Sequence, residues 1–219
     1  MRRSRANRNK STRSLKGSTH QTPSQQMRNP YAPMQLIIED ELEGIHQASL
    51  KLLCETGMDF QSPQAVDILR RAGAMVDVNG LRVRFDPDWV MQTIATTPSE
   101  FVLHGRRSDR HITMGGNSIA FAMVASTPNV SDLDRGRITG NYHDFCNLLR
   151  LGESLNSVQL QAGFPVEPCD VNVNTRHLVA GAAMARLTTK PVGGYALGRQ
   201  RMQDAIDRGI NHTTLLKEP

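Results

Sequence analysis

The sequence predicts an α/β fold in which an N-terminal helical and β-hairpin region precedes helices that alternate with short apolar strands. Helix start and stop signals recur between residues 40 and 98, and strand-length apolar runs alternate with helical patterns from residue 119 onward. Of the 219 residues, 38% are hydrophobic, which is enough for a packed core and excludes a wholly disordered chain. No run approaches about 18 consecutive apolar residues, so the sequence predicts no membrane-spanning helix.

Residues 1–38 are predicted to form a basic, disordered tail. Residues 1–28 contain eight Lys or Arg and no acidic residue; because the whole chain carries +5, residues 29–219 carry −3. The tail has so few apolar residues that burying them would not offset the conformational entropy lost on ordering. Salt-sensitive binding of nucleic acid or acidic lipid is the alternative to a merely solvated tail. The mildly acidic remainder gives a nucleic-acid-binding fold no support.

The three cysteines, Cys54, Cys146 and Cys169, are far apart and form no Cys-x-x-Cys pair. This spacing argues against a disulfide scaffold, a zinc finger and an iron–sulfur site. The seven histidines show no metal-ligand spacing either, so no metal site is predicted. A reducing, cytoplasmic compartment is the expected location.

Three helices and a strand are predicted between residues 40 and 98. The first helix spans residues 40–57 and ends at a glycine that suits a left-handed C-terminal cap. Ser62-Pro63 and Asp86-Pro87 each place an N-cap residue before a first-turn proline, so they open the second and third helices. Between these two helices, alternating apolar and basic residues at 81–85 predict a short half-exposed strand.

Residues 100–140 favour strands and turns instead. Phe101 and Leu103 alternate with polar neighbours, and Gly115-Gly116-Asn117 predicts a turn before the apolar run at 119–124. The charged segment 131–137 predicts the tip of a β-hairpin.

From residue 141 the pattern becomes repetitive. Helices predicted over 141–155 and 174–187, and from 199, alternate with apolar runs at 158–166 and 191–197. Such alternation is typical of parallel β/α units, here with strands at 119–125, 158–164 and 191–197. The repeat is too short for a closed eight-stranded barrel, which needs about 250 residues. The open sheet would have an uncovered edge, which predicts a fragment, a truncated gene product or a subunit completed by a partner.

Six motifs follow one another between about residues 36 and 207. They are Ile45-His46-Gln47-Ala48-Ser49, Leu69-Arg70-Arg71-Ala72-Gly73-Ala74, Phe101-Val102-Leu103-His104-Gly105-Arg106, Thr127-Pro128-Asn129-Val130-Ser131-Asp132-Leu133-Asp134-Arg135-Gly136-Arg137, Gly163-Phe164-Pro165-Val166-Glu167-Pro168 and Lys190-Pro191-Val192-Gly193-Gly194-Tyr195. Each motif is weak by itself. Together, in this order and spacing, they resemble the N-terminal half of the trimethylamine methyltransferase (MttB-like) family.

The resemblance implies both a fold and an activity. The fold is a TIM-type (β/α) barrel with N-terminal embellishments, of which residues 39–219 would be an incomplete N-terminal part. The activity is transfer of a methyl group from a methylated tertiary or quaternary amine to the corrinoid (cobalamin) of a partner protein, in methylamine and one-carbon metabolism related to methanogenesis. The expected partners are the corrinoid protein and either further copies of this chain, in a homo-oligomer, or a separate chain that supplies the rest of the barrel.

The implied chemistry needs binding rather than a nucleophilic side chain, so the sequence names no catalytic residue. The protein must hold the amine in line with the cobalt and exclude water. A quaternary ammonium has no N–H donors and is recognised by aromatic faces, at about 0.5–2 kcal/mol per ring. In TIM-type barrels the site lies at the carboxyl ends of the strands. The implied substrate-binding residues at these ends are Thr127, Phe164, Glu167, Gly194 and Tyr195.

These residues also have simpler interpretations, which stay open. The aromatic rings could pack in a core, Glu167 could cap a loop, and the glycines could mark a strand bend. Under the resemblance, the charged hairpin would contact the corrinoid or anchor the substrate, through Asp132, Asp134, Arg135 and Arg137. A solvated hairpin with local ion pairs is the alternative.

Two other functions remain open at this point. The chain could be a catalytically inactive remnant of the family, or an assembly subunit. It could also be a nucleic-acid accessory protein that uses its basic tail.

Overall fold

The computed structural model describes residues 20–77, 80–194 and 197–215, with side chains up to residue 207. These residues form two compact units. The N-terminal unit comprises Met27–Leu103 and Thr113–Ile119, and the C-terminal unit comprises 20–26, His104–Ile112 and 120–215. None of the helices in the described ranges is long and apolar enough to cross a membrane.

Short strands and helices alternate in the first part of the chain. The elements up to residue 119 are β1 (Met27–Arg28), α1 (Glu39–Lys51), a π-helical turn (Leu52–Thr56), β2 (Met58–Asp59), α2 (Pro63–Arg71), β3 (Met75–Val76), β4 (Arg82–Arg84), α3 (Pro87–Ala95), β5 (Glu100–Leu103), a 3₁₀ turn (Ser108–Arg110), β6 (Ile112–Gly115) and β7 (Ser118–Ile119). Strand β4 lies between β2 and β3 and is antiparallel to both. Strand β5 pairs with β6, and β1 pairs antiparallel with β7.

The helix signals in this part of the sequence are confirmed by the caps that form. The Ser62 hydroxyl accepts a hydrogen bond from the Ala65 N–H at 3.4 Å, and Asp86 Oδ1 accepts one from the Trp89 N–H at 3.0 Å. The first helix changes to a π-helical turn before it ends at Gly57, whose φ is 70°. Because a side chain clashes with the backbone at such a φ, glycine is the residue that suits this position.

The N-terminal unit has its own apolar core. Val66, Ala74, Val83 and Phe85 are buried there. The Phe85 ring stacks on Trp89 of α3, with 5.9 Å between the ring centroids. Helices α2 and α3 therefore bury their apolar faces against strand β4.

The C-terminal unit follows the predicted order of hairpin and helices. Its regular elements from residue 120 onward are β8 (Asn129–Asp132), β9 (Gly136–Thr139), α4 (Tyr142–Ser154), α5 (Arg176–Leu187) and α6 (Arg199–Leu215). Strands β8 and β9 form the predicted charged hairpin, in the register Asp132 opposite Gly136. The core lies under α4 and α5, where Phe145 meets Phe164 edge to face at 5.5 Å between ring centroids.

Three extended segments run in parallel beside this core, and we call 121–127, 159–167 and 191–193 the first, second and third parallel segments. A parallel bridge joins Ala122 to Leu160, and another joins Gln161 to Val192. The sequence predicts full strands here, but each neighbouring pair has one bridge only in the described residues. Proline explains part of the difference, since Pro165 and Pro191 have no N–H to donate to a ladder.

The segment 20–28 differs from the predicted disordered tail. The Gln21 side chain donates to the Ser154 carbonyl at 2.9 Å and accepts from the Asn156 N–H at 2.7 Å. The Asn156 side chain in turn donates to the Thr22 carbonyl at 2.8 Å. These side-chain amides form hydrogen bonds with backbone groups at and just after the end of α4. The hydrogen bonds stabilise the segment without apolar burial, which is the only contribution that the disorder prediction considered. Most of the basic residues of the tail lie outside the described residues.

Candidate functional site

A cavity of about 520 Å³ lies in the C-terminal unit, beside the ends of the second and third parallel segments. Helices α5 and α6 form its other walls. It is lined by Phe164, Glu167, Val173, Arg176, His177, Gly181, Met184, Ala185, Val192, Gly193, Gly194, Leu197, Arg201, Asp204 and Ala205. Its volume lies within the range of roughly 300–1,000 Å³ that is usual for small-molecule sites.

Helical spacing brings the wall residues together. On α5, His177, Gly181 and Met184 recur at intervals of four and three residues, so they share one face. On α6, Arg201 and Asp204 are related in the same way. Apolar side chains and glycines make up most of the remaining wall.

Four titratable residues enter the cavity wall as two pairs. Arg176 Nη1 lies 3.6 Å from Glu167 Oε2, and His177 Nε2 lies 2.8 Å from Asp204 Oδ2. The second pair joins α5 to α6 directly. All four side chains are about a quarter exposed, so they are partly shielded from water while still open to a ligand. The wall thus presents carboxylates and cationic groups on a largely apolar surface.

The carboxyl ends of the first two parallel segments are tied to each other. The Ser126 N–H donates to the Phe164 carbonyl at 2.7 Å, and the Glu167 N–H donates to the Thr127 carbonyl at 2.8 Å. The Thr127 hydroxyl donates to the Pro165 carbonyl at 3.0 Å. Thr127 therefore holds two segment ends together and does not line the cavity.

The other predicted substrate residues fall in different places. Phe164, Glu167 and Gly194 line the cavity. Gly194 has no atom within 4 Å of where its Cβ would be, whereas a Cβ on Gly193 would lie 2.6 Å from the Ala162 carbonyl oxygen. The second parallel segment therefore passes so close to position 193 that only glycine fits there. Position 194 has open space around it and borders the cavity. Tyr195 lies outside the described residues.

Ser126, next to Thr127, has a strained backbone. Its φ of 64° makes it the one non-glycine residue with positive φ among those described. Such a conformation costs a non-glycine residue about 1–2 kcal/mol, and the hydrogen bond to Phe164 helps to maintain it. Backbone strain of this kind concentrates at functional sites, and here it lies at the end of the first parallel segment.

The four residues predicted to lie near a corrinoid are on the β8–β9 hairpin, and none of them lines the cavity. Arg135 donates to both carboxylate oxygens of the buried Asp144, at 2.8 and 3.1 Å, and also to Asp132. Hydrogen bonds from Arg135 hold the pKa of Asp144 below its usual range. Asp134 and Arg137 are exposed. The contacts present are thus local ion pairs.

The sequence did not single out Arg176, His177, Arg201 or Asp204 as site residues. The spacing within each helix could have shown that they share a face with small and apolar residues. It could not have shown that the two faces meet, because that depends on how α5 and α6 pack.

A comparison with known families identifies the chain. Residues 2–209 match the model of the family described as trimethylamine methyltransferase (MTTB). The chain belongs to the trimethylamine methyltransferase family. The match begins within the segment that the sequence predicts as a tail, so the family's sequence pattern extends into that segment.

Individual relatives in this family act on different amines, according to their names. The chain is 28% identical over 172 residues to glycine betaine methyltransferase of Desulfitobacterium hafniense strain Y51, covering 78% of this chain and 36% of that protein. It is 27% identical over 139 residues to trimethylamine methyltransferase MttB of D. hafniense strain DCB-2, covering 61% and 27%. It is 24% identical over 156 residues to L-carnitine:corrinoid methyltransferase of Eubacterium limosum, covering 70% and 31%. The chain thus spans about a third of the length of these relatives.

The described residues contain no group of three or more His, Cys, Asp or Glu that could hold a metal ion. On the hairpin, Arg135 already donates to two carboxylates, Asp132 and Asp144.

Proposed function

We propose that this chain is part of a corrinoid-dependent methyltransferase that moves a methyl group from a methylated tertiary or quaternary amine to a corrinoid protein. Family membership over residues 2–209 is the observation that carries the proposal. The names of relatives add support, since L-carnitine and proline betaine methyltransferases are both described as acting with a corrinoid. When bound, the partner's corrinoid would supply the cobalt that accepts the methyl group.

The cavity is the proposed amine site. Glu167 and Asp204 provide negative charge for a methylated ammonium, and the Phe164 ring and apolar walls suit its methyl groups. Arg176 and Arg201 provide positive charge for a carboxylate on a betaine-type substrate. In this proposal the chain binds and orients the amine and keeps water from it.

The proposal extends to the fold. The three parallel segments, with their bridges at Ala122–Leu160 and Gln161–Val192, support a partial TIM-type barrel. The cavity borders the carboxyl ends of the second and third segments, where such barrels have their sites. The remaining units of the barrel would come from another chain or from further sequence, and the corrinoid protein would be the partner in catalysis.

Amine binding by the purified chain tests the site. Titration calorimetry with trimethylamine, glycine betaine, L-carnitine and proline betaine should detect millimolar binding of at least one of them. Glu167→Gln should weaken that binding about tenfold, because it removes a charge that faces the ammonium. Glu55→Gln changes an exposed carboxylate of the other unit and serves as the matched control.

Turnover separates the proposal from its rival. Mass spectrometry should detect loss of one methyl group from the amine when a reduced corrinoid protein is present. Amine binding without turnover would favour the inactive remnant or assembly subunit. Binding of none of the four amines would overturn the proposed site.

A further inference from the structure

A second, small cavity of about 30 Å³ lies in the C-terminal unit, at the amino ends of the second and third parallel segments. The lining residues that matter here are Ser24, Asp109, Arg110, His111, Gln159 and Lys190. None of them lines the larger cavity. The volume suits a single occupant close to the size of a water molecule.

Arg110 has an unused buried donor at this cavity. Its Nη1 donates to the Ser24 hydroxyl at 2.8 Å. Its Nε is buried and has no hydrogen-bond acceptor in the part of the chain that the structure describes. The Asp109 carboxylate lies 4.0 Å from that Nε, beyond hydrogen-bond distance, and accepts from Arg107 at 2.8 and 2.9 Å. A buried guanidinium donor without an acceptor is costly, which points to a missing partner.

Lys190 brings a second positive charge to the cavity. Only 3% of the residue is exposed. Its ammonium donates to the carbonyls of Leu155, at 2.8 Å, and Gly152, so it caps the end of α4. Burial lowers the pKa of Lys190 to about 8; the carboxylate of Glu153 opposes the change, and the charge of Arg110 adds to it. Arg110 and Lys190 both line this cavity.

The neighbouring carboxylates offset part of this charge. Asp109 lies 4.0 Å from Arg110 Nε but also pairs with Arg107, and the charge of Glu153 favours the ammonium of Lys190. Gln159 accepts from the Phe121 N–H at 2.9 Å and donates to the Asn156 carbonyl at 3.3 Å. His111 Nδ1 accepts from the Gly105 N–H at 3.1 Å, so this nitrogen is already occupied. The carboxylate of Glu153 accepts from Thr188 and Thr189. Three cations, Arg107, Arg110 and Lys190, are thus matched by two carboxylates, Asp109 and Glu153.

We propose that this cavity binds one small monovalent inorganic anion of the size of chloride. The anion accepts a hydrogen bond from Arg110 Nε and balances the positive charge that the two carboxylates leave over. A water molecule would accept the hydrogen bond but would leave that positive charge unbalanced. The anion consequently stabilises the contact among 20–26, the 3₁₀ turn and the end of α4.

Chloride is the probe for the test. At constant ionic strength, the melting temperature of the 219-residue chain should be about 3–5 °C higher in 100 mM chloride than in 100 mM gluconate, which is too large for the cavity. Excess broadening of the ³⁵Cl NMR line should report the same binding directly. Equal melting temperatures in the two salts, with no excess broadening, would overturn the proposal and leave water as the occupant.

Substitutions locate the effect. Arg110→Gln should abolish both the chloride-dependent shift and the broadening, whereas Arg150→Gln, at an exposed arginine on α4, should keep both. If circular dichroism shows that Arg110→Gln does not fold, Arg110→Lys retains the charge without Nε and should reduce the broadening at least threefold. Undiminished broadening in a folded Arg110 variant would contradict binding in this cavity.

Discussion

The carboxylate of Glu153 accepts hydrogen bonds from both donors of Thr189, with Oε2 3.0 Å from the backbone nitrogen and Oε1 2.7 Å from the hydroxyl. Glu153 lies in the last turn of α4, and Thr189 immediately precedes Lys190 at the entry to the third parallel segment. The contact therefore joins helix to sheet across 36 positions of sequence. Burial alone would raise the pKa of Glu153, but hydrogen bonds from Thr189 and Thr188 and the charge of Lys190 hold it below its usual range.

Glu153→Gln should lower the free energy of unfolding at pH 7 by about 1–2 kcal/mol, since the charged acceptor is lost. Because the folded-state pKa lies below the unfolded value of 4.5, the ionised carboxylate stabilises the folded chain at pH values above 4.5. This stabilisation is lost as the pH falls from 4.5 through the folded-state pKa. Urea denaturation between pH 7 and 3 should therefore show a steeper loss for the wild type than for the variant. Glu43→Gln, at an exposed carboxylate of α1, should change the free energy by less than about 0.5 kcal/mol. Parallel pH profiles for wild type and Glu153→Gln would contradict this role.

Arg135→Gln tests whether the hairpin arginine is structural. The substitution leaves the buried Asp144 without its bidentate partner, so we expect the melting temperature to fall by roughly 4–8 °C. Arg137→Gln on the adjoining strand removes an exposed arginine and should leave it nearly unchanged. Calorimetry distinguishes the two variants, and equal melting temperatures would show that the pair with Asp144 contributes little.

Gln161→Met should stabilise the chain. Gln161 is fully buried, and in the described residues neither polar atom of its side chain has a hydrogen-bond partner. Methionine has a similar shape and no strong polar group to desolvate, so we expect a gain of about 1–2 kcal/mol in unfolding free energy. Gln203→Met, on the exposed face of α6, provides the comparison in urea denaturation. A loss of stability at 161 would indicate that the amide has a partner that the structure does not hold.

Lys190 should make stability depend on alkaline pH. Its pKa is about 8 in the folded chain against 10.5 for an ordinary lysine, so the unfolded chain binds more protons between these values. The free energy of unfolding should therefore rise from pH 8 to 10.5, by about 1–3 kcal/mol. Lys190→Met should remove this rise. Denaturation curves at pH 8, 9 and 10 provide the measurement, and a rise that persists in the variant would assign it to another group.

Exposed apolar side chains on the parallel segments should cause self-association. Phe121 is 49% exposed, Val124 60% and Val192 50%. Sedimentation velocity should show concentration-dependent association of the isolated chain, and Phe121→Gln should reduce it. Leu133→Gln, at the fully exposed hairpin tip, removes a leucine away from these segments and should have no such effect. A monomer at all concentrations would contradict the expectation of an uncovered sheet.

Much of the local structure could be predicted from the sequence. Ser62-Pro63 and Asp86-Pro87 open helices as expected, and the charged hairpin forms at 131–137. The second parallel segment overlaps its predicted run and the third falls within its own, although as bridged segments rather than regular strands. The order of segment 20–28 was missed, because its contacts come from side-chain amides that bind a distant helix end.

The candidate site was only partly predictable. Phe164 and Glu167 line the cavity and lie at or beyond the end of the strand predicted at 158–164, which the sequence reveals; Gly194, which also lines it, lies inside the run predicted at 191–197. Thr127 instead bridges two backbones, and its role depends on a neighbour 38 residues away. His177 and Asp204 carry no distinctive motif, and only the packing of α5 on α6 brings them together.

The sequence by itself determined where helices begin and end, where the hairpin turns and which family the chain resembles. Caps, glycine turns and apolar periodicity act over a few residues, so they can be recognised without the fold. Only the tertiary structure decided which polar groups meet: Glu153 with Thr189, His177 with Asp204, and Arg110 with Ser24. Those contacts join residues far apart in the chain, and their geometry follows from how the helices pack on the parallel segments.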